Sequence, residues 1–420
     1  MSNHARPEVE IVAVGNELLT GDTLDTNGRF LTRAVEPLGL APRFKHVAGD
    51  REEDVILVLR DAASRADVVF VTGGLGPTED DLTRKSVARA FDRRLIFHAE
   101  LVPPIRDYFA RAGQEMPPDN ERQALLPSGA KPVPNPLGTA PGFILEDGRT
   151  SVIVLPGVPR EMRAMYEASV HPYLASRFGG GDTWAVRTVM TTGVSESKVN
   201  ELLGGLLDLS RNPQVGLTAS DLGVDLRIRA RAASRDAARA MIDALVEEAR
   251  ARLGPAIYSE TGEGLEQVVG RLLAERKKTL SIAESCTGGL ISERITSVSG
   301  SSAYFDRGIV TYSNESKEAM LDVPRPVLIA HGAVSPETAC AMAEGIRRST
   351  ETDFGLSVTG IAGPTGGTAG KPVGLVYVAL AVRGGETRVK EHRFPGDREM
   401  VRARSAQAAL DLLRLYLTGC

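Results

Sequence analysis

The chain has 420 residues, 42% of them hydrophobic and 25% charged, with a formal net charge of −4 and a pI of about 6.0. The length exceeds what one hydrophobic core supports, so two or three domains are expected, and the balanced charge excludes a global basic footprint for nucleic acid or an anionic membrane. The start, MSNHARPEVEIVAVGNELL, lacks an apolar segment with a small-residue cleavage site, no apolar run reaches a membrane span, and Cys286, Cys340 and Cys420 are too scattered for a disulfide framework or zinc site, which predicts a cytoplasmic protein free of membranes.

Residues 1–178 alternate strands and helices. VEIVAVG is a strand buried on both faces, and DTNGRFLTRAVEPLG is a helix with Asp25, Thr26 or Asn27 as its cap. The strand RFKHVAG, the helix REEDVILVLRDAASRA, the strand DVVFVTGG and the helix EDDLTRKSVARAF follow. This order implies a mainly parallel sheet with helices on both faces. From Gly113 to Gly142 the chain is Pro-rich and irregular, a loop of the functional or disordered kind. GFILEDGRTSVIVLPG forms a hairpin about Asp147-Gly148 and runs into the helix PREMRAMYEASVHPYL.

Residues 179–260 read as a small β-α-β-β-α unit, and residues 261–420 as a second layered α/β unit. The expected fold class is therefore α/β and multi-domain, two layered α/β/α sheet domains joined by a small α+β domain. In the last unit three strands end in hydroxyl residues: SIAE before Ser285, IVTY at Tyr312 and SVTG at Thr359. Parallel strands would bring these to one rim, where ligands of open α/β sheets gather. The bland reading of each is a helix cap. With Asn314 as cap of ESKEAML, Lys317 falls at the third helical position, facing the positive end of the helix dipole, which lowers the amine's pKa. A neutral lysine can take a serine proton; an exposed, solvated lysine is the competing reading. Amides of Thr287, Gly288 and Gly289 can stabilise an oxyanion or bind phosphate. The Gly-rich turn TGIAGPTGGTAGKPVG, opened by Gly360, matches neither a dinucleotide nor a P-loop pattern. Arg398, at the start of the last helix, can meet an anion. Cys286 is the rival nucleophile but has no histidine near it in sequence, so Ser285 is preferred.

AESCTGG, GSSAYFDRGIVTYSNESK, HGAVSPE, SVTGIAGPTGG and KPVG resemble the C-terminal domain of the CinA family, the nicotinamide mononucleotide deamidases. The resemblance implies hydrolysis of nicotinamide mononucleotide to nicotinic acid mononucleotide and ammonia without a cofactor. It places the family's serine on Ser285, its tyrosine on Tyr312, its lysine on Lys317, its threonine on Thr359, and its arginine on Arg398 or Arg402. A different carboxamide could be served by the same machinery.

In the first unit, AVGNELLTGDTLDTN and VTGGLGPTEDDLTRK put two Gly-bearing turns at strand ends, a phosphate cradle. Glu79, Asp80 and Asp81 at a helix start either complement the dipole or, with Glu17 and Asp25, hold a divalent cation. Together with NPLGTAPGF and PGVPREM these stretches resemble the N-terminal half of full-length CinA proteins, itself similar to molybdopterin-binding domains. That implies a metal-assisted cleavage of ADP-ribose to AMP and ribose 5-phosphate, or a non-catalytic nucleotide- or pterin-binding regulatory module. The candidate metal ligands are Glu17, Asp25, Asp80 and Asp81 for Mg²⁺ or a similar ion; Asn27, Thr78, Gly73, Gly74 and Gly76 shape the substrate site. The middle unit resembles the KH-like connector of the family, but NELLGGLLDLSRN lacks the GxxG loop that clamps RNA. It is read as a spacer or dimer-forming element, giving a homodimer that binds small nucleotides rather than nucleic acid.

Overall fold

The computed structural model describes residues 7–178, 183–208 and 210–420. They form two compact units, Met1–Ala185 with Arg231–Ala238, and Val186–Ala230 with Arg239–Cys420.

The first unit is built on a six-stranded sheet. Its strands are β1 (Glu8–Val14), β2 (Ala41–Ala48), β3 (Val68–Thr72), β6 (Lys131–Val133), β7 (Gly142–Asp147) and β8 (Thr150–Leu155), in the order β2-β1-β3-β8-β7-β6. The first four in that order are parallel, and β7 and β6 run antiparallel at the far edge. Both faces are buried, and the period-two alternation of a strand divides the side chains between them. Val69 and Val71 of β3 enter one apolar cluster, Val68 and Phe70 the other. Helices Glu52–Arg65 and Thr83–Ala90 contribute Val55, Leu59 and Val87 to the first cluster; helix Thr26–Val35 contributes Leu31 and Val35 to the second.

Two sequence expectations are corrected here. The irregular stretch 113–142 contains the helical turn Pro118–Ala124 and the strands β5 (Leu125–Pro127) and β6; β5 pairs with β4 (Leu95–Phe97), which supplies the backbone partners that a free loop would lack. The acids Glu79, Asp80 and Asp81 do not open a helix, because it begins only at Thr83, after a turn in which the Asp81 carboxylate accepts from the Thr78 amide.

In the second unit a four-stranded sheet has the order β10-β11-β9-β12, from β9 (Thr183–Thr191), β10 (Gln214–Ala219), β11 (Val224–Ala232) and β12 (Ile257–Ser259). A five-stranded sheet follows, from β13 (Leu280–Glu284), β14 (Phe305–Val310), β15 (Phe354–Gly360), β16 (Leu375–Val382) and β17 (Arg388–Arg393), ordered β14-β13-β15-β16-β17. β14, β13 and β15 are mutually parallel, so the three hydroxyl-bearing strand ends share one rim. β16 runs antiparallel to β15, and β17 antiparallel to β16. Helices Leu265–Glu275 and Arg398–Thr418 pack against β13, β15 and β16 in one apolar cluster. On the opposite side Ala283, Leu321, Met342 and Ile346 form another. No helix among the described residues is long and apolar enough to cross a membrane.

The helix Asn314–Leu321 is seated on the helix Pro336–Thr350 at Gly345, where an added Cβ would lie 1.9 Å from the Leu321 carbonyl oxygen. Backbone against backbone leaves no flexible side chain to yield. Gly345→Ala is expected to lower stability by about 1–3 kcal/mol, read as a lower urea midpoint with an unchanged slope.

Candidate active site

The corner after β13 is organised by a residue the sequence reading passed over. Glu284, the last residue of β13, is fully buried. Its carboxylate accepts from the amides of Gly289 (3.0 Å), Ile291 (3.1 Å) and Ser292 (2.8 Å) and from the Ser292 hydroxyl (2.6 Å). It thus supplies the negative charge that the start of the helix Leu290–Thr296 attracts. Gly289 caps that helix at φ +96°, a left-handed conformation suited to glycine. The visible signal was an acid ending an otherwise apolar buried strand one short turn before a helix.

Two of the three amides expected to hold an oxyanion are consequently committed inside the protein. Gly289 N–H donates to Glu284, and Gly288 N–H to the Ser285 carbonyl at 3.1 Å, closing the turn. Thr287 remains, buried, its carbonyl gripped by Arg402 at 2.8 and 3.2 Å.

Ser285 lies beside Lys317. Lys317 Nζ is 3.1 Å from Ser285 Oγ and donates to the Thr311 carbonyl at 2.7 Å. The lysine is only 1% exposed and the serine 8%. Among the described residues no carboxylate forms an ion pair with this amine, and burial holds its pKa below the ordinary lysine value. A neutral amine here can keep one N–H on the Thr311 carbonyl and offer its lone pair to the serine hydroxyl. The cap of this helix is Ser313, not Asn314: Ser313 Oγ accepts from the Ser316 amide, and Ser316 Oγ from the Ser313 amide, each at 3.1 Å. Lys317 is therefore the fourth helical residue. Cys286 is buried among apolar side chains, which pushes its thiol up to about 12 and leaves it protonated.

Tyr312 stands at the mouth, 61% exposed. Its hydroxyl accepts from Arg398 at 2.8 Å, and the other arm of that guanidinium donates to the Gly363 carbonyl at 2.8 Å. Among the described residues no hydrogen bond joins Tyr312 to Lys317, whose amine meets Ser285 directly. Thr359 is buried and donates to the Ala333 carbonyl at 2.7 Å, fastening the HGAVSPE loop to the rim. Gly360 is a packing position, because a Cβ there would approach the Leu375 carbonyl oxygen to 2.7 Å. Of the two arginines, Arg402 braces the Thr287 turn, while Arg398 is the exposed one.

The first unit has a cavity of about 520 Å³ at the carboxyl ends of β1, β3 and β8. Gly73, Gly74 and Gly76 line it, Gly73 at φ +101° with its Cα so close to β1 that a Cβ would lie 2.2 Å from the Val14 carbonyl oxygen. Two residues unnoticed in the sequence hold this turn. Thr83 Oγ1 donates to the Gly73 carbonyl, and buried Arg84 donates to the carbonyls of Leu75 (2.6 Å) and Gly76 (2.7 Å). Asn27 donates to the Gly157 carbonyl at 2.7 Å, and its buried Oδ1 has no partner, which suits a ligand hydrogen-bond donor. Thr78 is exposed and lies outside the lining, serving Asp81 through its amide (3.0 Å) and hydroxyl (2.5 Å).

Glu17, Asp25, Asp80 and Asp81 all line the cavity, yet among the described residues no three acidic, histidine or cysteine side chains converge as a metal cluster. Asp25 is occupied by the Gly28 amide (2.7 Å), as a helix cap, and Asp81 by Thr78. The four-carboxylate cage expected from sequence is therefore not formed. Glu17 and Asp80 are the more exposed pair, a donor set that fits a Mg²⁺ arriving with a substrate's phosphates better than a resident ion.

Comparison with known proteins covers the described fold almost end to end. Residues 10–176 match the family described as "Probable molybdopterin binding domain", residues 186–259 the "Damage-inducible protein CinA KH domain", and residues 262–417 the "CinA C-terminal domain". A CinA-like protein of Dictyoglomus thermophilum is 45% identical over 405 residues, 96% of this chain and 98% of its own. One of Koribacter versatilis is 44% identical over 412 residues, 97% and 99% respectively. Among solved structures, the competence damage-inducible protein A of Klebsiella pneumoniae is similar over 37% of this chain and 95% of its own, at 38% identity and a TM-score of 0.36. With three successive family matches and relatives of this identity over nearly the whole length, the chain belongs to the CinA family.

Proposed function

We propose that the site at Ser285 hydrolyses the carboxamide of nicotinamide mononucleotide to nicotinic acid mononucleotide and ammonia. The 3.1 Å contact between the buried Lys317 amine and the Ser285 hydroxyl carries this reading. Ser285 Oγ attacks the amide carbon as its proton passes to Lys317 Nζ. The tetrahedral intermediate collapses, the nitrogen leaves with that proton as ammonia, and an ester on Ser285 remains. Lys317, neutral again, deprotonates a water that attacks the ester carbon; the C–Oγ bond breaks, Lys317 returns the proton to Ser285 Oγ, and the carboxylic acid leaves. Arg398, exposed at the mouth beside Tyr312 and the Gly-rich turn, meets the 5′-phosphate.

For the first unit we propose ADP-ribose as ligand, its diphosphate on the Gly73–Gly76 turn, and cleavage to AMP and ribose 5-phosphate. A divalent cation held by Glu17 and Asp80 would neutralise phosphate charge. Asn27 Oδ1 would accept a hydrogen bond from the substrate, and Thr83 and Arg84 keep the turn in place.

Ammonia release from nicotinamide mononucleotide is expected in the purified protein, to be lost in Ser285→Ala and lowered roughly a hundred- to ten-thousandfold in Lys317→Met. Full activity in either variant removes that residue from the chemistry. The lysine works only when deprotonated, so kcat should rise with pH through a titration below the ordinary lysine value, and this limb should vanish from the residual activity of Lys317→Met. AMP release from ADP-ribose should require added Mg²⁺, stop on chelation, and fall in Glu17→Gln and Asp80→Asn. Binding of ADP-ribose without AMP release under any of these conditions would make the first unit a non-catalytic nucleotide module.

A further inference from the structure

The backbone around Ser285 is paired almost completely. Ser285 N–H donates to the Val358 carbonyl at 3.0 Å, and the Ser285 carbonyl accepts from Gly288. The Thr287 carbonyl is held by Arg402, and the Gly289, Ile291 and Ser292 amides are held by Glu284. Two groups in this run stand apart: the N–H of Cys286 and the N–H of Thr287, neither of which finds an oxygen acceptor among the described residues. Both residues are buried, at 5% and 0% exposure, so bulk water does not serve them freely. Buried backbone donors left unpaired are rare and costly. Here they are the two amides immediately following the nucleophile, and the buried Thr287 hydroxyl beside them is likewise without a partner.

We propose that the amides of Cys286 and Thr287 form the oxyanion hole, and that Glu284 is the positioning residue that makes them so. This rests on the reading of Ser285 as nucleophile. By occupying the start of the helix Leu290–Thr296, the Glu284 carboxylate denies that helix end to the substrate's oxyanion and to its phosphate. It also locks the turn, so that the donors need no rearrangement as charge develops on the carbonyl oxygen. An amide one residue past the attacking serine is a recurring solution where a strand turns sharply into a helix. The Cys286 side chain packs inward among apolar residues and leaves its backbone as the part that serves the reaction, which accounts for a thiol beside the nucleophile that does no chemistry of its own.

The chain has three cysteines, so ¹⁵N-cysteine labelling of the full protein yields three backbone amide signals, and Cys286→Ser identifies the relevant one. The probe is 3-formylpyridine mononucleotide, with an aldehyde in place of the carboxamide. Ser285 Oγ bonds to the aldehyde carbon, the C=O π bond opens, the serine proton goes to Lys317, and the former carbonyl oxygen becomes the oxyanion. The Cys286 amide proton is expected to move downfield on adduct formation while the Cys340 and Cys420 signals stay, with no movement in Ser285→Ala. An adduct that forms, seen as loss of the aldehyde signal, with the Cys286 amide unmoved overturns the proposal and leaves Ser285 as nucleophile. Absence of any adduct in the unmodified protein overturns the nucleophile, and the oxyanion hole with it.

Discussion

A cation and a hydroxyl share a space that water does not reach. Lys317 is nearly fully buried, with no carboxylate among the described residues to neutralise it, and a lone ammonium in such a place is strongly disfavoured. The protein meets this constraint by giving the amine two oxygens, the Thr311 carbonyl and Ser285 Oγ, while burial holds its pKa below the ordinary lysine value. Much of the C-terminal unit serves that arrangement. The parallel strands β13 and β14 set Ser285 and Thr311 side by side, and Gly345 lets the lysine-bearing helix approach closely enough to reach them.

The same unit treats its anionic needs differently. A helix start is an attractive place for a substrate's negative charge, but here a side chain of the protein already sits on it. Glu284 fixes the geometry of the corner, and the exposed cation nearby is Arg398, tethered between Tyr312 and Gly363 at the mouth. The first unit follows the opposite plan. Its Gly-rich turn is braced from behind by Arg84, whose guanidinium donates only to carbonyls and is brought down to about 10 by burial, leaving the front of the turn open to a ligand.

Much of this was legible in the chain. Apolar runs too short for helices, ended by glycines and hydroxyl residues, gave the parallel sheets, and the positions of Ser285, Tyr312 and Thr359 at strand ends or just beyond gave the rim. What escaped depended on pairing across long sequence distances. The strand β5 is three residues long and exists because β4 lies beside it; nothing in LLP announces it. Glu284 is passed over in the sequence, and its place shows only when the amides of the next helix are seen to converge on it. The acids Asp25 and Asp81 are natural metal ligands by type, and only the structure shows each already spent on a nearby backbone amide. Asn314 and Ser313 are both good caps, and the reciprocal bonds with Ser316 decide between them.

β14 lies at the margin of its sheet, with β13 as its single strand neighbour, while β13 is flanked on both sides. Ser285 thus follows an interior strand and Lys317 an outer one, in parts of the molecule with unequal resistance to fraying. Warming or mild denaturant should detach the amine while the serine's corner is still native, so that catalytic failure comes earlier than collapse of the domain and reverses on cooling.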